Sequence, residues 1–167
     1  MTNKTDLRSV LTEDSTWKGE FMNYLKKHPV TGEEGIVQKG RWLMEMKVED
    51  DGINMKNKFF DQEGKQSDYE GSMKIRFEDD KVKQIGNTEV DPNTGNEIKD
   101  YDFEGYITED HMFIKEEYVE IEDESETHRR NSLHYHLIDE DEMMHTSDVY
   151  IDGELLVFGG NMFKKEQ

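Results

Sequence analysis

From Trp17 to the end of the chain, apolar and polar residues alternate with a period of two, the mark of strands that bury one face. The clearest run is 67–77, SDYEGSMKIRF. Tyr69, Gly71, Met73, Ile75 and Phe77 point one way, and Asp68, Glu70, Ser72, Lys74 and Arg76 the other. In 36–49 the repeating face is Trp42, Met44, Met46 and Val48; in 97–107 it is Tyr101, Phe103, Gly105 and Ile107. The same pattern predicts strands over 17–26, 53–60, 81–90, 111–121, 127–138, 143–151 and 155–165. Acidic or Gly-bearing turns separate them, among them Asp50-Asp51-Gly52, Asp139-Glu140-Asp141 and Asp152-Gly153. Only residues 5–12 read as helical: Leu7, Val10 and Leu11 share a face, and Thr5 is placed to cap.

Ten strands with no helix between any pair cannot be parallel, because parallel pairing needs long crossovers. They predict an all-β fold, a single up-and-down antiparallel barrel of about ten strands with a short N-terminal helical turn. Closure removes the two exposed edges that so long a meander would leave. Gly19, Gly40, Gly71, Gly105 and Gly159 interrupt bulky faces where coiled strands need room. One domain over 1–167 is expected, with loose ends at 1–4 and 166–167. Pro29-Val-Thr-Gly and Pro92-Asn-Thr-Gly repeat one turn device, and Asp91-x-Asn93-x-Gly95 is a hairpin turn, not a calcium loop, since no Glu stands at its twelfth position.

Composition sharpens this picture. The 167 residues carry a net charge of −19 and are 37% charged and 32% hydrophobic, values that border on disorder. The ordered alternation and the aromatic content argue for folding. So acidic a chain is a poor partner for nucleic acid or an anionic membrane surface, and no partner protein or oligomeric state is implied. With no cysteine, thiolate metal sites and thiol nucleophiles are excluded. No stretch reads as a secretory leader or membrane span, so a cytoplasmic location is expected. Phosphate-cradling loops and a serine elbow have no counterpart here.

Trp17-Lys18-Gly19, Gly40-Arg41-Trp42-Leu43 and Tyr69-Glu70-Gly71 follow one another on the first, second and fourth predicted strands. In that order they resemble bacterial lipocalin-like domains of unassigned function, within the calycin group of lipocalins and fatty-acid-binding proteins. The resemblance spans roughly residues 5–165 and implies a barrel, not a particular task. The lipocalin Gly-x-Trp is incomplete, with Ser15 in place of Gly. Haem-binding barrels of similar outline take a His from the last strand, and residues 154–165 hold none.

Four of the six histidines fall within 128–145. His134-x-His136 on a strand puts two rings on one face about 7 Å apart, a spacing that metal sites use. HYHLIDE also resembles the cupin fragment through His134, His136 and Glu140, without the flanking glycines. His128 is on the order of 20 Å away. His145 lies opposite Tyr135 across the Asp139–Asp141 turn, hence on the other face. No metal, cofactor or catalytic residue is therefore assigned. Two placements of the pair stay open. The rings either decorate the outer wall, with Leu133, Tyr135 and Leu137 inside, or join Arg130, Asp148 and Tyr150 in a polar constellation within the barrel.

The expected job is binding of a small, largely apolar ligand inside the barrel. The lining would come from Trp42, Met44, Tyr69, Met73, Tyr101, Phe103 and Tyr118, with Arg130, His134, His136 and Tyr150 as polar contacts. Two alternatives remain: an enzyme using the His/Arg/Tyr cluster for acid–base work, and a filled barrel acting as an interaction module.

Overall fold

A computed structural model describes residues 5–28, 31–86, 88–91 and 94–167, apart from the side chain of Tyr69. The two Pro-x-Thr-Gly turns and the Asp91–Gly95 motif lie partly outside the described residues. A short helix, α1 (Leu7–Leu11), precedes ten strands: β1 (Ser15–Lys27), β2 (Glu34–Glu49), β3 (Gly52–Phe60), β4 (Gln66–Glu78), β5 (Lys81–Gln84), β6 (Glu97–Ile107), β7 (His111–Glu122), β8 (Ser125–Asp139), β9 (Glu142–Ile151) and β10 (Glu154–Lys165). Each strand pairs with its sequence neighbours, all antiparallel, and β1 pairs with β10 to close the barrel. No described helix is long and apolar enough to cross a membrane.

The period-two pattern is what puts a core inside. Trp17, Phe21 and Leu25 on β1, Met44 and Met46 on β2, and Met112 and Ile114 on β7 are all buried. Their strand neighbours Lys18, Met22, Lys47 and Lys115 point outward, exposed or half-buried. The end of the barrel that carries the β4–β5 and β6–β7 turns is packed solid, and α1 plugs it. Leu7 and Leu11 are fully buried against the cluster that holds Trp17, Met46, Ile53, Ile75, Val82 and Phe163. The plug is tied at both edges. Leu7 N–H donates to Glu109 O at 2.7 Å, and the Arg8 guanidinium donates to Asp79 O at 2.8 Å.

Four details depart from the sequence reading. The helix cap is Asp6 rather than Thr5, because the Asp6 carboxylate accepts from Ser9 N–H at 2.7 Å from an extended backbone. The fifth strand ends at Gln84 instead of Val90, and Val90 makes an isolated bridge to Glu97. On β6 a bulge at Asp100, whose φ is 55°, lets Ile98 and Tyr101 face inward together despite their odd spacing. Finally, the chain is tied as far as Glu166, whose N–H donates to Thr16 O at 2.8 Å.

Gly40 shows why glycine interrupts a bulky face. A methyl there would lie 2.2 Å from Phe60 O and 2.8 Å from the Phe21 ring, so β2 and its neighbours approach only because no side chain intervenes.

Candidate functional site

Halfway up the barrel the inward face changes character. Above the apolar half, β6 to β10 contribute Tyr101, Glu116, Tyr118, Asn131, Tyr135, His145 and Asn161, all facing inward. Aromatic side chains Trp42, Phe59 and Phe103 face them or flank them. Trp42 Nε1–H donates to Asn57 Oδ1 at 2.8 Å, which fixes the indole across β2 and β3.

These polar groups form a line through the interior. At one end His145 Nδ1 and Asn161 Oδ1 are 3.1 Å apart across β9 and β10. His145 is fully buried in a box made by the rings of Trp42 and Tyr135, each 4.6 Å away between centroids, and Phe163 at 6.1 Å. Burial disfavours its charged form and lowers its pKa to about 3, although the bond to Asn161 pulls the other way. His145 Nε2 and Asn161 Nδ2 are buried and have no protein hydrogen-bond partner.

At the other end the Tyr101 hydroxyl donates to Glu116 Oε1 at 2.8 Å, and the Tyr101 and Tyr118 rings stack at 6.1 Å. Burial holds the Glu116 carboxyl above the usual carboxylate range, against hydrogen bonds from Tyr101 and Asn131 that lower it. The Tyr101 and Tyr118 hydroxyls are likewise pushed up by burial, and then by the nearby carboxyls of Glu116 and Asp91 respectively. Nearer the mouth, Tyr118 donates to Asp91 Oδ2 at 3.2 Å. Glu120 accepts from Thr94 and Asn96 and pairs with Arg129.

The residues predicted to line the site divide between the two faces. Trp42, Met44, Met73, Tyr101, Phe103 and Tyr118 face inward, although Met44 belongs to the packed apolar half. The Tyr69 side chain lies outside the described residues. Arg130, His134, His136 and Tyr150 correct the inward expectation: all four project from the outer wall. Tyr135, 2% exposed, lies between the two histidines on β8, and strand alternation sends its neighbours the opposite way. The Arg130 guanidinium lies 4.2 Å over the Tyr150 ring on that outer surface, one residue pair across β8 and β9. The proposed His/Arg/Tyr acid–base cluster therefore does not surround an interior ligand.

On the same outer wall His134 and His136 meet His111 of β7, which pairs directly with His136. One ring nitrogen from each lies within 4.8 Å of the other two. The third histidine was reachable from sequence: a two-residue turn at Asp123-Glu124 sets the β7–β8 register and places position 111 opposite 136. The longer gap at 122–126, between the predicted strands 111–121 and 127–138, shifts that register. His145 does lie opposite Tyr135, as the sequence placed it, but it was not assigned to the site; Asn161 and the carboxyl of Glu116 were missed, because polar residues break the apolar alternation by which an inner face is recognised.

A groove of about 1550 Å³ crosses the outside of β2, β1, β10 and β9, and its lining also takes in Trp42, His145 and Asn161 from the inward face. Met22, Tyr24, Val37, Phe158 and Met162 line it and are exposed, with Lys18, Lys39, Arg41 and Lys164 among them. Compared with family models and with curated proteins, the chain gives no match. What fold and site define is a closed antiparallel barrel with a polar line across its interior.

Proposed function

We propose that the protein is a calycin-like carrier that holds a small, largely apolar molecule in the half of the barrel opposite α1. The observation behind this reading is the inward polar line. Burying a polar atom without a partner costs about 1–3 kcal/mol, and the His145–Asn161 pair has two such atoms. A ligand with an apolar body against Trp42, Phe59 and Phe103 and one hydrogen-bonding group satisfies them. At the other end of the line Glu116, held above the usual carboxylate range, adds a carboxyl able to donate when protonated. The site is thereby suited to a neutral head group such as a hydroxyl or carbonyl.

Titration with the neutral dye Nile red, followed by displacement with straight-chain alcohols, tests this reading. Saturable one-to-one uptake is expected, weakened severalfold in Tyr101→Phe and His145→Gln and unchanged in Met162→Glu on the outer wall. Well-folded protein that takes up no dye, or uptake abolished by Met162→Glu alone, defeats it.

The outer groove favours a second reading, a barrel that associates through its wall. Its apolar floor carries four basic residues against two acidic ones, Glu20 and Asp61, on a chain of net charge −19, so its local excess of positive charge suits the acidic surface of a second copy. Sedimentation at rising concentration would then show a dimer that Met162→Glu dissociates; a monomer throughout removes this reading.

A further inference from the structure

We propose that His111, His134 and His136 form a binding site for a divalent transition cation, of the zinc or copper(II) class, on the outer wall of the barrel. The site lies on the far side of the sheet from the interior polar line and does not depend on the carrier reading.

Three features support it. The first is convergence. His111 Nε2 and His134 Nδ1 are 3.1 Å apart, and tetrahedral bonds of 2.0–2.1 Å to a common metal put two nitrogens about 3.3 Å apart. No nitrogen of the set is more than 4.8 Å from another, so rotation about the side-chain bonds closes the remaining gap. The second is rigidity. The three rings project from the adjacent strands β7 and β8, whose register is continuous from His111↔His136 to Glu122↔Ser125. The rings stack nearly parallel, with His111 and His136 centroids 4.3 Å apart and planes 12° apart, so they turn about their side-chain bonds to aim their in-plane lone pairs at one ion. Phe113 and Tyr106 pack against His134 and His111 at 4.9 and 5.6 Å.

The third is chemistry. Imidazole suits zinc, copper and nickel, and a set of three leaves a coordination position open to water. All three rings are half-buried on the outer wall. Around the trio stand Met144 and Thr146 on β9, paired with His136 and His134, and Asp110 beside His111. No lysine or arginine lies directly opposite either member of the His134/His136 pair on β7 or β9.

Cobalt(II) titration of the full chain at pH 7.5 tests the site, because its visible absorption reports imidazole ligation and ignores loose binding to surface carboxylates. One cobalt per chain with strong visible bands is expected, displaced by zinc. His111→Gln and His136→Gln should each weaken binding at least tenfold, whereas His128→Gln, on the same strand and exposed, should leave it unchanged. Absence of visible bands, or equal affinity in all three variants, overturns the proposal. Should a variant misfold, the wild type decides by itself: zinc must shift the ring proton resonances of His111, His134 and His136 and leave those of His145 in place. Shifts confined to other histidines overturn it equally.

Discussion

His145 makes the barrel sensitive to acid in a window that can be calculated. Its imidazole is fully buried among Trp42, Tyr135 and Phe163, and its pKa is lowered to about 3 from an ordinary 6.5. A histidine that folds neutral and unfolds able to charge gives stability that is complete above the unfolded value and lost as pH falls below it. With these two values the unfolded state gains about 2 kcal/mol between pH 8 and pH 5, since one pKa unit corresponds to about 1.36 kcal/mol. That is a roughly thirtyfold rise in the unfolding constant. Urea denaturation of wild type and His145→Gln at both pH values isolates the effect, because all other titrations are shared. Wild type is expected to lose about 2 kcal/mol more than the variant on acidification. Equal losses would refute the placement of a neutral, enclosed imidazole in the interior.

Glu116 acts with the opposite sign. Its carboxyl is raised, so the stability it gives is complete below the unfolded value near 4.5 and lost as pH rises through the native one; Glu116→Gln should flatten the fall in melting temperature that begins as pH rises above 4.5. Gly40→Ala forces β2 away from Phe60 O and the Phe21 ring, and should cost about 1–3 kcal/mol by urea denaturation. Asp123 and Glu124 both have positive φ, 48° and 66°, in the turn that sets the histidine register. Glu124→Gly relieves a side chain held left-handed and should stabilise by about 0.5–1 kcal/mol in the same assay, without altering the β7–β8 pairing.

Sequence alternation carried most of the architecture. Trp42-Met44-Met46 and Met73-Ile75-Phe77 each place three apolar side chains on one face, and those faces do line the interior. Nine of the ten strands lie within a few residues of their predicted bounds, because each ends in a turn rich in Asp, Glu or Gly. The fifth did not, since Val90 fits the apolar pattern yet makes only an isolated bridge to Glu97. The site was less legible for a physical reason. Polar residues inside a barrel cannot be told from those outside by hydropathy, and only pairing register separates them. His134 and His136 went to the outer wall because Tyr135 is the larger apolar surface, while His145 went inside with Met143. His111, remote in sequence, joined the pair through a two-residue turn.

The location of a bound molecule can be read from the methionine methyls, which lie on both faces of the wall. Met73 faces the interior, partly buried against the core, whereas Met22 and Met162 lie in the outer groove. In protein labelled at its methionine methyls and saturated with a straight-chain alcohol, ligand contacts should appear at Met73 and the Trp42 indole and be absent from Met22 and Met162. Contacts at Met22 and Met162 with none at Met73 would contradict a carrier that binds inside its barrel.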